Sequence, residues 1–407
     1  MKLNCIVAQS GGPTAAINAS LAGVVKGIID SNIYDKVYGS IHGIQGVFKK
    51  QFLDLSDSTS DFIDKLKTTP AMYLGSCRFK LPDLSEDEAA YAEIFSVFEE
   101  MNIGAFFYIG GNDSMDTVDK LSKYAVSIGS NIKIAGVPKT IDNDLMETDH
   151  TPGFGSAAKY IASSVREIAY DTYIYDVESV TIVEIMGRDA GWLTAASALA
   201  RTDFSHAPHL IYLPEVAFDK EQFINDIKEL LPKQRNVIVA VSEGIRDKDG
   251  NYLSATDAAA DKFGHAQLSG TGKCLEYLVK ERLGVKVRSV EVNVLQRCAG
   301  HMASQTDLDE AFRLGETAVR LTENGESCFM TALKRTSDAP YSCDIISVPV
   351  ANVANKAKSV PTEWITASGN DITPELEAYL RPLVIGEVTP NYDNGIISYA
   401  DISHLQH

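Results

Sequence analysis

A chain of 407 residues, 45% hydrophobic and 23% charged, has room for two or three domains and the make-up of a folded protein rather than a disordered one. Its 37 basic against 55 acidic side chains leave a net charge of −18, which repels nucleic-acid backbones. Six scattered cysteines with no CxxC pair fit reduced thiols, and no run approaches the roughly 18 apolar residues of a membrane span, so a cytoplasmic protein with neither nucleic acid nor membrane as partner is expected. A small anionic substrate then binds only where the few Arg and Lys gather.

In chain order, an apolar run is repeatedly followed by a glycine or charge cluster and a helical stretch. Residues 3–8 lead to Ser10-Gly11-Gly12-Pro13 and a helical pattern over 15–30. Residues 105–109 lead to Gly110-Gly111-Asn112-Asp113-Ser114 and a helix from Met115 to about Ser127. Residues 132–137 enter Pro138-Lys139-Thr140-Ile141-Asp142-Asn143-Asp144, with a helix near 156–169. Residues 180–185 enter Met186-Gly187-Arg188 and a helix over 190–200, and 236–241 end at Ser242-Glu243-Gly244. Beyond about Gly325 the chain reads as strand-rich. Apolar runs without alternation, each followed by a helix, are the mark of parallel strands covered on both faces. The expected class is α/β with mostly parallel sheets, its functional loops beyond the carboxyl ends of the strands.

Each cluster has a chemical and a plain reading. Gly11-Gly12 lets backbone N–H groups approach an anion at a helix N-terminus, or is a turn that needs positive φ. Gly110-Gly111 repeats that geometry; Asn112, Asp113 and Ser114 add oxygens for Mg²⁺ beside a phosphate, or cap a helix starting near Met115. Lys139 with Asp142 and Asp144 offers a general base, a metal-facing acid and a charge stabiliser, or an Asx-type turn beside a solvated Lys. Arg188, Arg288 and Arg297 suit phosphate and Glu243 suits sugar hydroxyls, although each singly is more often a surface ion pair. Gly270-Thr271-Gly272-Lys273-Cys274 looks like a P-loop tail but has Cys where Ser or Thr should hold Mg²⁺, and reads as a helix start.

Taken in order with Gly75-Ser76-Cys77-Arg78-Phe79 and Leu295-Gln296-Arg297, these clusters resemble the phosphofructokinase family from Leu3 to about Asp309. The resemblance implies two Rossmann-like α/β/α lobes with an active site in the cleft between them. Residues 1–153 with about 297–345 would hold the phosphoryl donor, and 154–296 with about 346–407 the sugar phosphate. It further implies transfer to the 1-hydroxyl of fructose 6-phosphate, Mg²⁺, and a homodimer or homotetramer. By resemblance Asp142 is the base, acting with Lys139, Asp113 and Arg188. Gly11, Gly12, Arg78, Gly110, Gly111 and Ser114 hold the donor. Thr140, Ile141, Asp142, Met186, Gly187, Arg188, Glu243, Arg288 and Arg297 hold the sugar phosphate, and Asn112, Asp113 and Asp144 the metal.

The ATP-using branch of the family usually has glycine at the positions of Asp113 and Lys139, whereas the pyrophosphate-using branch resembles this chain at both. A carboxylate at Asp113 places negative charge where a nucleotide's α-phosphate would come; like charges 4 Å apart repel by about 4 kcal/mol at an effective dielectric near 20. Lys139 neutralises a phosphoryl group moving in either direction. Pyrophosphate and reversible transfer are therefore expected, with an ATP-dependent enzyme or a catalytically silent sugar-phosphate-binding subunit as alternatives. Three departures from the family stand out: Asn112 for a metal-binding Asp, Ser179 for an Arg, and Val294 for a His or Tyr. The last two leave open another sugar phosphate, such as sedoheptulose 7-phosphate.

Overall fold

The computed structural model of the chain describes residues 2–77, 79–253 and 270–406. In chain order its main strands are β1 (Leu3–Gln9), β2 (Tyr34–Ser40), β3 (Phe52–Asp54), β4 (Ile103–Gly110), β5 (Lys133–Pro138), β6 (Ser179–Ile185), β7 (Leu210–Tyr212), β8 (Asn236–Ser242), β9 (Lys286–Glu291), β10 (Phe329–Asp338) and β11 (Tyr341–Pro349). They form a seven-stranded sheet, order β11-β10-β5-β4-β1-β2-β3, and a four-stranded sheet, order β7-β8-β6-β9. The second sheet is parallel throughout. The first is parallel except where β3 and β11 add antiparallel edges. The expected α/β class with mostly parallel sheets holds.

Apolar runs without alternation become buried strands because helices cover both faces. In β1 and β4 the two faces separate by period 2. Cys5, Val7, Phe107 and Ile109 join one core with the helices Ile17–Ile29 and Gln305–Glu323. Ile6, Ala8, Phe106 and Tyr108 join another with the helices Glu88–Glu100 and Asn112–Ser127. The smaller sheet has its own core, in which Phe223, Ile227, Leu275 and Val279 pack on β6 and β8.

The chain divides into two compact units, one of Met1–Ser156, Arg297–Ala357 and Val384–His407, the other of Ala157–Gln296 and Lys358–Leu383. The C-terminal boundaries differ from the expected ones. A break at 345 would cut β11, which pairs with β10 along its whole length, from Phe329 opposite Pro349 to Asp338 opposite Tyr341. The last stretch also returns to the first unit: Ala400 N donates to Thr69 Oγ1 at 2.9 Å, and His404 Nε2 lies 2.8 Å from Tyr73 O. Only 358–383 joins the second unit, where Ile211 N donates to Asn370 O (2.8 Å) and Arg201 pairs with Asp371 (2.8 Å). The strand-rich expectation for the C-terminal stretch holds only as far as Pro349, beyond which short helices and two-residue strands follow.

Within the first unit the helices Ile17–Ile29 and Gln305–Glu323 touch backbone to backbone. A Cβ on Gly23 would lie 2.0 Å from Phe312 O, and one on Gly315 would lie 2.2 Å from Ser20 O. This contact seats both helices under the carboxyl end of β1. Alanine in a helix interior normally stabilises by ~1 kcal/mol over glycine. Here the clash is with main chain, which cannot turn aside as a side-chain tip can. Gly23→Ala and Gly315→Ala should each destabilise the fold by about 1–3 kcal/mol, read as a lower urea midpoint at unchanged slope.

Candidate active site

In the first unit β5, β4 and β1 are neighbours in register, with Gln9 opposite Ile109 and Gly110 opposite Pro138. The turns that follow these strands therefore leave one edge of the sheet side by side. Gly11-Gly12 follows β1, Gly111 follows β4 and Lys139-Thr140 follows β5.

Lys139 ties the three turns together. Its backbone N donates to Gly110 O (2.9 Å), and its Nζ donates to Gly12 O (2.7 Å). Gly11 has φ +83, which favours glycine, and a Cβ there would press on Lys139 Nζ at 3.1 Å. Lys139 is only 2% exposed. Burial pulls its amine down to about 7, with the Arg297 charge acting in the same direction and the Asp142 and Asp144 charges opposing. The plain reading of a solvated Lys is thus excluded. Arg297 belongs to this cluster, its Nη1 3.5 Å from the place a Cβ on Gly12 would take.

The turn after Lys139 is held by its non-acidic members. Thr140 Oγ1 accepts from Asp142 N (3.1 Å), while Thr140 O accepts from Thr151 Oγ1 (2.9 Å). Asn143, fully buried with φ +54, accepts from Thr151 N at 3.1 Å. With Asn143 pinned inward, Asp142 and Asp144 on either side remain partly exposed. The local turn bond is that of Thr140, whereas Asn143 reaches eight residues on to Thr151, and the alternation is what leaves both carboxylates partly exposed. Ile141 is buried at 7% exposure, which leaves its backbone as the part a ligand can reach.

The Gly110–Ser114 segment corrects one expectation. The helix begins at Asn112, with Gly111 as N-cap and no side-chain cap, so capping from Met115 is not what these residues do. Uncapped first-turn N–H groups suit an anion. Asp113 lies exposed in that turn. Asn112 turns away: its Nδ2 donates to Lys356 O and its Oδ1 accepts from Asn355 N, both at 2.6 Å. One lone pair of its amide oxygen is thereby taken by the backbone. Ser114 is 2% exposed with its Oγ buried, packed where a Cβ on Gly110 would fall 1.9 Å away. Arg78 lies outside the described residues, but its neighbour Ser76 donates from Oγ to Gly11 O at 2.8 Å.

In the second unit β6 and β8 end together, Ile185 opposite Ser242, so Met186-Gly187-Arg188 and Glu243 leave the same edge. Glu243 N donates to Ile185 O (2.9 Å), Ser242 Oγ donates to Gly187 O, and Met186 N donates to Gln296 Oε1 (3.2 Å). Arg188 Nε is buried without a hydrogen-bond partner. Arg288 is not brought to this edge. It stands opposite Thr181, about 13 Å back along the strands at ~3.3 Å per residue, and pairs with Asp171 at 3.1 Å. Ser179, at the amino end of β6, accepts from Asn236 Nδ2 at 2.9 Å, and Val294 is 46% exposed. The P-loop-like segment is a helix start, Thr271–Leu283, whose N-terminus the chain itself fills: Glu184 Oε2 accepts from Gly272 N at 2.7 Å.

Several residues that hold these turns were not singled out from the sequence. Thr14 Oγ1 accepts from Ile17 N, at the start of the helix after β1, at 2.9 Å. Asp307 accepts from Gly153 N (2.9 Å) and Ser156 N (2.8 Å). Glu215 accepts from Gly191 N at 2.8 Å. The Thr151-Pro152-Gly153 run was a readable turn signal; the partners of Asp307 and Glu215 lie far off along the chain and left none.

Comparison with known proteins places the whole chain. The family model described as Phosphofructokinase matches residues 4–322. A curated protein of Halomonas elongata, named pyrophosphate--fructose 6-phosphate 1-phosphotransferase, is 41% identical over 98% of this chain and 96% of its own length. Its namesake in Methylococcus capsulatus is 40% identical over 99% and 96%. The solved structure of the pyrophosphate-dependent phosphofructokinase from Marinobacter aquaeolei superposes with a TM-score of 0.88 at 36% identity, covering 98% of this chain and 96% of that one. With the glycine turns, the buried lysine and the paired acids all falling inside the matched span, the chain belongs to the phosphofructokinase family.

Proposed function

We propose that this chain moves a phosphoryl group reversibly from pyrophosphate to the 1-hydroxyl of fructose 6-phosphate, giving fructose 1,6-bisphosphate and phosphate. The observation that carries the reading is Lys139, an amine buried beneath the Gly11-Gly12 turn and within the fields of Asp142, Asp144 and Arg297. Near full-length likeness to relatives of that name supports it. The protein would work in the cytoplasm as a homodimer or homotetramer; among the described residues no helix is long and apolar enough to cross a membrane.

Asp142 takes the proton of the sugar 1-hydroxyl as the new P–O bond forms and the bridge bond of pyrophosphate breaks. The N–H groups of Gly11, Gly12 and the first turn after Gly111 receive the donor's oxygens. A bound phosphate raises the proton affinity of Lys139, so the amine is charged when it faces the transferring group. Arg188, Met186, Gly187 and Glu243 hold the sugar phosphate, and Arg297 adds charge beside Gly12. Asp113 and Asp144 fit Mg²⁺: both are carboxylate oxygen donors with part of their surface open, and Asn112 is otherwise engaged. Bound there, Mg²⁺ supplies positive charge to the donor's phosphates.

Asp142→Asn should lower kcat by about 10²–10⁴ while KM for both substrates moves only a few-fold. A variant with near-normal turnover removes Asp142 from the chemistry, and a parent without turnover favours a silent sugar-phosphate-binding subunit. Asp113→Gly should relax the donor preference toward ATP by roughly tenfold or more, since even part of a ~4 kcal/mol like-charge penalty is worth that factor. An unchanged ratio of pyrophosphate to ATP activity would refute the charge argument.

A further inference from the structure

Behind the Lys139–Asp144 turn, still in the first unit, lies a buried ionic cluster that the proposed chemistry does not use. His150 is 2% exposed. Its Nδ1 is 2.8 Å from Asp149 Oδ1 and its Nε2 is 2.6 Å from Glu310 Oε2. The remaining groups facing the ring are also set. Arg335 donates to Asp149 Oδ1 from Nε (3.2 Å) and Nη2 (2.9 Å). Tyr341 donates its hydroxyl to Glu310 Oε1 at 2.7 Å and lies 3.3 Å from Cys343 Sγ, and the charge of His150 is felt at Asp307.

We propose that His150, as an imidazolium clamped between Asp149 and Glu310, is a positioning residue for the Lys139–Asp144 turn. The inference rests on the phosphotransferase reading above and assigns a residue that touches neither substrate.

Three hydrogen bonds fasten the turn to the residues that follow His150. Thr140 N donates to Pro152 O (3.1 Å), Thr151 Oγ1 donates to Thr140 O (2.9 Å), and Thr151 N donates to Asn143 Oδ1 (3.1 Å). Those residues are in turn seated on the helix Gln305–Glu323. Asp307 accepts from Gly153 N at 2.9 Å, and one turn further along, on the same face, Glu310 meets His150. On the other side Asp149 N donates to Leu333 O (2.8 Å), which fixes the segment to β10. Any shift of His150 relative to that helix therefore reaches Thr140 and Asn143 through one residue, and with them the two acids.

The ring must carry both protons for this clamp. A neutral imidazole has one donor, so one carboxylate would face a lone pair. Burial disfavours the charged ring, but the Glu310 and Asp149 carboxylates outweigh it and raise the group to about 9. The clamp is consequently intact below that value and lost as pH rises through about 9. Asp149, His150 and Cys343 also stand within 4.8 Å of one another at their ligand atoms. With both ring nitrogens on carboxylates and Arg335 on Asp149, the cation this cluster holds is the imidazolium itself.

The test uses the full-length enzyme with Mg²⁺, pyrophosphate and fructose 6-phosphate. His150→Gln and the milder Glu310→Gln are compared with the parent from about pH 6 to about pH 10. Expected are a fall in kcat of about tenfold to a hundredfold with both KM values within about threefold, the scale on which an ångström of misplacement acts. The parent's kcat should drop through about 9 on the alkaline side, and His150→Gln should flatten that limb. Histidine ring signals in the parent, assigned by the one lost in His150→Gln, should show a ring titrating near 9; Glu310→Gln serves in both measurements if His150→Gln does not fold. A kcat within about twofold of the parent, a ring that titrates below its ordinary value, or stoichiometric zinc that the substitution abolishes would each overturn the inference. A parent without turnover overturns instead the reading on which it rests.

Discussion

A primary amine buried beneath a glycine turn is the constraint from which the first unit's functional edge follows. Removing an ammonium from water is costly, and the group lowers its proton affinity unless anions sit near. Lys139 answers with one backbone carbonyl at 2.7 Å and two carboxylates on its own turn, and settles near neutrality. The amine lies against position 11, which carries no Cβ, and the glycine in turn accepts a positive φ. A phosphate entering there would meet an amine already stripped of water, so the desolvation has been met during folding and not at the moment of binding.

The fold was legible because its signal is local. Residues 103–110 are buried without a break, and a strand covered on both faces needs only apolar side chains in a row. The edge that carries function was legible for the same reason: each cluster directly follows such a strand. The helix start at Asn112 was misread because Asn, Asp and Ser look like a cap, although the structure uses the bare glycine before them. The C-terminal boundaries were misread because the antiparallel pairing of β10 with β11 and the return of Ala400 to Thr69 depend on partners far away in sequence.

Two glycine-started helices show how far local sequence reaches. Gly111 and Gly270 both precede a helix, and neither helix has a side-chain cap at that position. After Gly111 the first turn carries an exposed acid and backbone donors that suit an anion. After Gly270 the same donors are met by Glu184, 88 residues earlier in the chain, whose buried carboxylate sits where a phosphate would have to lie. Both segments satisfy the rule that anions favour helix N-termini. One takes its anion from the chain and the other has no side-chain cap, a difference set by what strand β6 places beneath the second helix.

The same division separates the groups proposed to touch ligand from those that hold them. Lys139, Asp142 and Asp144 are found by spacing, because all three fall within one short turn. Asp307 and Glu310 are buried acids whose partners, Ser156 N and His150, lie 151 and 160 residues away along the chain. An unpaired buried charge is far more costly than a paired one, so each member requires the others. That mutual requirement makes the support stiff: the helix Gln305–Glu323 cannot shift against residues 149–153 without exposing a carboxylate to apolar surroundings. The Lys139–Asp144 turn thus rests on electrostatics one layer down, among buried groups whose partners lie far apart along the chain.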